Sequence, residues 1–364
     1  MCISKYKIHL FLVSLVVVAN SLFAQTRKET IHFFGADNKL IQYVGRIDFS
    51  DPKLPRYWQP GVYVKAKFSG TYCNVIVNDE MLWGKNHNYL EIVIDDTVLY
   101  RMPTRGKRDT IRVASRLQNG THTILVAKNT EANIGYLEFL GLQCNNLLPL
   151  PPKPQRKIEF IGNSITCGAS ADESLVPCGK GVWQDQHNAY LAYGPTTARN
   201  LNAQWILSSV SGIGLIHSCC NLDVLMPQVY DNINMRNLTD SLKWNFNTYQ
   251  PDIVTVCLGQ NDGIQDSIAF CSAYVKFLQR IRNNYPKAKL ICLTSPMADS
   301  TLSASQKSYL TGVVNFMHRS GDNNVYSYFF CKRYYHGCDT HPDVAEHQEI
   351  AAELTAYLKP LLNW

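Results

Sequence analysis

No stretch of this chain concentrates charge of one sign. Its 35 basic and 29 acidic residues leave +6 spread over 364 positions, which excludes the basic footprint of a nucleic-acid binder and leaves mild basicity as a matter of solubility. No Gly-x-Ser-x-Gly elbow occurs, which argues against an α/β-hydrolase lipase. No internal repeat is found, which argues against a repeat array. The N-terminal apolar run, 8–19, is shorter than the roughly 20 residues a membrane-spanning helix needs. Charged residues are scarce, at 18%, while 46% are hydrophobic. That composition excludes a disordered chain and supplies an ordinary core. The length favours two domains over one.

What is present begins with "MCISKYKIHLFLVSLVVVANSLFAQ". Lys5 and Lys7, an apolar run and small residues up to Ala24 read as a signal peptide over residues 1–24, cleaved after Ala24. The mature protein is then expected to be secreted or periplasmic, with no membrane span. Cleavage removes Cys2 from the 12 cysteines, and the odd remainder leaves at least one thiol unpaired. Cys331 with Cys338, or Cys167 with Cys178, are candidate loop staples in an oxidising compartment, although spacing does not settle connectivity. The adjacent Cys219 and Cys220 are expected to stay separate, because neighbouring residues meet disulfide geometry poorly.

Residues 25–146 alternate β-rich runs with turns, among them "GVYVKAKFSG", "CNVIVND", "YLEIVIDDTVLY" and "HTILVAKN". Period-two alternation without a helix predicts an antiparallel β-sandwich. At 147–156 the prolines of "PLPPKP" exclude a central strand or a helix interior, which makes this a linker. Over 157–364 apolar runs at 158–161, 205–210, 253–258, 290–293 and 325–330 alternate with helical stretches, including "SAYVKFLQRIRNNY" and a last helix after Pro342. This predicts an α/β domain with a doubly wound, mostly parallel sheet.

Ligands of such sheets bind beyond the carboxyl ends of the strands. Ser164 comes after the first expected strand, "SGIG" (211–214) after the second, "GQND" (259–262) after the third and "HGCDTHP" (336–342) after the fifth. A serine that cleaves an ester needs a base and donors for an oxyanion. His341 can be the base, held extended by Pro342. Asp339, two residues away in extended chain, would accept the Nδ1 proton. The backbone N–H groups of Ser164 and Gly212 and the side-chain amide of Asn261 would form the oxyanion hole. Each residue also has an ordinary use. Ser164 can cap a helix, Asn261 and Asp262 can make a turn, Gly212 and Gly214 can serve a turn, His341 can cap the last helix and Asp339 can sit in water. Their joint placement on one rim favours the chemistry.

In block order these residues resemble the SGNH or GDSL hydrolases. With "IEFIGNSITCG", the linker and the sandwich, nearly the whole mature chain resembles carbohydrate esterase family 2. The resemblance implies a jelly-roll domain before an SGNH domain, removal of acetyl groups from plant polysaccharides such as xylan or mannan, a serine esterase without cofactor, and an acetylated polysaccharide or oligosaccharide as partner. Some relatives use a Ser-His dyad, which makes Asp339 the least secure member. Thr340 stands where relatives often carry tryptophan.

The donors of "HGCDTH", His336, Cys338, Asp339 and His341, also have metal-like spacing. A catalytic zinc site would need three ligands and a separate base, and no companion motif supports one, so no metal is expected. His347 is expected to be a surface or packing histidine. Trp58, Tyr63 and Trp83 are expected in the core more than as sugar platforms. Glu131 in "KNTEANIG" is left outside the site. The competing readings are a carbohydrate-binding protein with an inactive hydrolase domain, or an esterase for other acyl groups.

Overall fold

The β-rich part contains nine strands: β1 (His32–Gly35), β2 (Gln42–Val44), β3 (Arg56–Tyr57), β4 (Tyr63–Asp79), β5 (Tyr89–Ile94), β6 (Val98–Pro103), β7 (Arg108–Ala114), β8 (Thr121–Lys128) and β9 (Leu137–Leu148). These belong to a computed structural model that describes residues 30–239 and 242–364; the expected signal peptide lies outside the described residues. All pairings among the nine are antiparallel. The runs read as two strands, "GVYVKAKFSG" and "CNVIVND", prove to be the single 17-residue β4. Its register against β9 shifts between Ser69 and Cys73. Before the shift β4 pairs with β8, and beyond it with β7. The hairpin β5–β6 turns through Asp95, Asp96 and Thr97, with the two aspartates at φ of 53° and 55°, a left-handed conformation that Asp tolerates in turns.

The expected linker begins too early. Leu147 and Leu148 still pair with Phe68 and Lys67, and burial of Leu147 keeps β9 in the sheet up to the first proline. The second sheet then starts at Arg156 with β10 (Arg156–Gly162). After it come α1 (Ser164–Cys167), α2 (Tyr193–Asn200), β11 (Ala203–Ser209), α3 (Met226–Val229), β12 (Ile253–Cys257), α4 (Ser267–Asn284), β13 (Lys289–Leu293), α5 (Ser300–Arg319), β14 (Val325–Tyr328) and α6 (Val344–Leu362). The five strands are parallel, in the order β11-β10-β12-β13-β14.

Every residue of β11 and β12 is buried, as expected when helices cover both faces of a sheet. Tyr193 of α2 and Ile350 and Leu354 of α6 join Phe160 on one face. Phe270 and Tyr274 of α4 and Leu310 of α5 join Ile161 and Val254 on the other. α4 starts five residues before the expected stretch, because Asp266 accepts from the Ala269 N–H and caps it. The strand order reverses at β10, between β11 and β12, and the carboxyl ends of these strands are where a ligand crevice opens.

The two sheets belong to one body, Ile31–Trp364. Arg46 and Glu159, both fully buried, pair across them at 2.9 Å, and the Trp205 indole donates to the Gly61 carbonyl at 3.0 Å. No helix among the described residues is long and apolar enough to cross a membrane.

Candidate active site

β10 delivers the chain to the crevice, where Asn163 accepts from the Ile165 N–H at 3.2 Å and caps α1. The capping role is therefore filled by Asn163, and the Ser164 hydroxyl stays available. α1 ends at Gly168, at φ 68°, where a Cβ would come within 2.4 Å of the Asn188 carbonyl oxygen. Only glycine fits a left-handed residue so close to another backbone.

His341 reaches Ser164 from the other end of the chain, with its Nε2 2.9 Å from Ser164 Oγ. Its Nδ1 lies 3.1 Å from the backbone carbonyl oxygen of Asp339. A carbonyl only accepts, so Nδ1 carries the hydrogen and Nε2 presents its lone pair to the serine. The assignment of the Asp339 carboxylate as the orienting group is thus corrected: the orienting atom is main-chain oxygen. Residues 338–340 are not extended, since Asp339 and Thr340 have φ of 50° and 59°. This turn aims the carbonyl at the imidazole and leaves the Asp339 side chain exposed. Helix α6 is capped by Asp343, not His341. Burial pushes the His341 imidazole below its ordinary 6.5, opposed by the Asp339 carbonyl.

The remaining sequence candidates converge on the same cleft, of about 580 Å³, lined by Ser164, Gly212, Asn261 and His341. The backbone N–H groups of Ser164 and Gly212 have no hydrogen-bond partner among the described residues. Asn261 Nδ2 donates one hydrogen to the Ile213 carbonyl at 2.8 Å, leaving its second free. Asp262, in the turn after β12, is buried and accepts from the N–H groups of Leu215, Ile216 and His217 at 2.7–3.0 Å. It braces the chain that follows Gly212.

Two cysteine expectations fail. Cys219 and Cys220 are bonded to each other and line the cleft, while Cys178 pairs with Cys338. Cys220 and Asn221 both have positive φ, 63° and 59°, a tight turn that brings the adjacent sulfurs together. Cys331 and Cys167 are unpaired. The "HGCDTH" donors face different partners: Cys338 is in its disulfide, His336 Nδ1 meets Glu346 Oε1 at 2.5 Å, and His341 faces Ser164.

Comparison with known proteins places the chain in a family. Residues 43–154 match the carbohydrate esterase 2 N-terminal family, and 160–323 match the GDSL-like lipase/acylhydrolase family. A family two carbohydrate esterase from Clostridium thermocellum, solved in complex with cellohexaose, is 33% identical, with TM-score 0.81, covering 89% of this chain and 99% of that one. The chain belongs to carbohydrate esterase family 2, and with it to the carboxylic ester hydrolases. The cellulase/esterase CelE of Acetivibrio thermocellus is 35% identical over 90% of this chain, which spans only 40% of CelE. An acetylxylan esterase / glucomannan deacetylase of Cellvibrio japonicus is 26% identical over 93% of this chain and 94% of its own.

In this family 2 chain, further residues line the cleft. Trp183 lines the cleft, 38% exposed, on the loop that the Cys178–Cys338 disulfide ties to the His341 turn. It supplies an aromatic wall where Thr340 supplies none. Asn133, from the turn between β8 and β9, also lines the cleft; no local pattern marks either residue. Trp58 and Tyr63 are buried as expected, whereas Trp83 is 80% exposed. His347 is a packing residue: fully buried, it stacks on Tyr193 and its Nδ1 accepts from the Tyr193 N–H at 3.2 Å.

Proposed function

We propose that this family 2 protein is an exported serine esterase that removes O-acetyl groups from acetylated plant polysaccharides or oligosaccharides of the xylan or mannan type. The observation that carries the reading is the 2.9 Å contact between His341 Nε2 and Ser164 Oγ, made in a cleft with three free N–H donors. Ser164 Oγ bonds to the acetyl carbon while its proton passes to Nε2. The N–H groups of Ser164, Gly212 and Asn261 hold the resulting oxyanion. Collapse breaks the bond to the sugar oxygen, which takes the proton from Nε2 and leaves an acetyl-Ser164. Water then adds to that ester as its proton goes to Nε2, and a second collapse frees acetic acid and returns the proton to Ser164. The low pKa of His341 suits this role, because a neutral imidazole is already a base at neutral pH.

The glycan assignment is supported by the carbohydrate-directed relatives and by the aromatic wall at Trp183. The test is acetate release from acetylated xylan, glucomannan and oligosaccharides by the purified protein, with Ser164→Ala as control. Ser164→Ala should be inactive and escape labelling by a fluorophosphonate. Binding of glycan without acetate release by the wild type would favour a binding module instead.

A further inference from the structure

Glu131 belongs to the antiparallel part of the molecule, in the turn between β8 and β9, yet it is fully buried against the parallel part. The turn is held from several sides. Lys128 Nζ donates to the carbonyls of Thr130 and Glu131 at 2.6 and 3.1 Å, Thr130 Oγ1 donates to Asn88 Oδ1 at 2.5 Å, and Asn129 Oδ1 accepts from the Tyr190 N–H at 3.0 Å. So anchored, Glu131 Oε2 accepts from the backbone N–H of Ser211 at 2.6 Å and meets Cys167 Sγ at 3.6 Å. Ser211 immediately precedes Gly212, and Cys167 closes α1, which opens at Ser164. One carboxylate oxygen therefore touches both segments that carry backbone donors of the site.

Gly212 needs such an anchor. It sits at φ 81°, and a glycine is free to rotate its peptide planes where other residues are not. On its far side the Gly212 carbonyl accepts from the Cys219 N–H at 2.9 Å. On its near side the restraint is the bond from Ser211 to Glu131. The second carboxylate oxygen, Oε1, makes no hydrogen bond, and His187 Nε2 lies 3.9 Å from it, an ion-pair distance only. Burial works to raise the Glu131 pKa, but His187 and the Ser211 N–H outweigh it and hold the group below the usual range. Glu131 is thus an ionised acceptor in a site where an unused charge would be costly.

We propose that Glu131 is a positioning residue for the esterase reaction: by holding Ser211 it aims the Gly212 N–H at the oxyanion, so that the antiparallel domain completes the active site. This rests on the esterase reading of Ser164 and His341. The test separates reach from charge. Glu131→Asp keeps the charge but falls one methylene short of Ser211. Glu131→Gln removes the charge but keeps an oxygen at the same reach. With active sites counted by fluorophosphonate titration, Glu131→Asp should lose about 10- to 100-fold in kcat with KM little changed, short of the full loss of one oxyanion donor. Glu131→Gln should recover most of that loss. Affinity for a boronic acid, which forms a tetrahedral adduct on Ser164, should fall with kcat. If Glu131→Asp does not fold, Glu131→Ala takes its place. Wild-type kcat per titrated site in the Asp or Ala variant overturns the proposal, and so does a Gln variant as slow as Asp. A wild-type protein without esterase activity would instead overturn the reading on which it rests.

Discussion

Replacing Asp339 by glycine removes the carboxylate while keeping the carbonyl that holds His341 Nδ1. Glycine also suits the φ of 50° at this position, so Asp339→Gly should keep kcat within a few-fold of wild type. Alanine keeps the carbonyl too, but a left-handed residue with a Cβ costs roughly 1–2 kcal/mol. Aspartate already bears part of that cost, so the added strain in Asp339→Ala is about 1 kcal/mol or less. If all of it entered the barrier, the loss would be about fivefold, at 1.4 kcal/mol per tenfold. By contrast, a side-chain carboxylate that orients the base is worth about 10⁴-fold in kcat. Steady-state hydrolysis of 4-nitrophenyl acetate separates these outcomes by about three orders of magnitude. The Asp339 charge also favours the imidazolium form of His341 at longer range, so its removal should shift the acid limb of the pH profile downward. A folded Asp339→Gly protein slower by about a thousandfold or more would refute the backbone assignment.

Because His341 is held below 6.5 and must be neutral to act, the acid limb of kcat/KM should have its midpoint below pH 6.5; a midpoint above it would contradict the burial argument. Asn261→Ala removes one oxyanion donor and should lower kcat roughly 100-fold, with a near-wild-type rate ruling Asn261 out of the hole. Burial holds His347 at about 3, below its ordinary value. The unfolded chain therefore binds the extra proton, and stability falls as pH drops from about 6.5 towards 3. At pH 4.5 the cost is about 2–3 kcal/mol. His347→Asn, whose side-chain oxygen can replace Nδ1 as acceptor, should lose correspondingly less stability in urea unfolding between pH 7 and 4.5; parallel losses would count against this account.

The contrast between Ser164 and Glu131 shows what could be read in advance. Ser164, Gly212, Asn261 and His341 were legible because each comes after a periodic apolar run, and a parallel sheet brings all such ends to one rim. Membership of two structural classes was legible for the same reason, since period two and strand-helix alternation are local properties of the chain. Glu131, Trp183 and the bonded pair Cys219–Cys220 carry no such local signature. Their neighbours are set by packing between residues far apart in sequence, as in the 80 positions that separate Glu131 from Ser211.

The sequence by itself determined the two structural classes and the rim on which Ser164 and His341 meet, because hydrophobic periodicity and chain direction suffice for these. Only the tertiary structure decided which atom orients His341, which cysteines bond and which residue of the antiparallel domain holds Ser211 beside Gly212. Those depend on backbone torsions such as the left-handed turn at 339–340 and on contacts across the buried seam between the sheets. A linear pattern of residue types does not encode these directly.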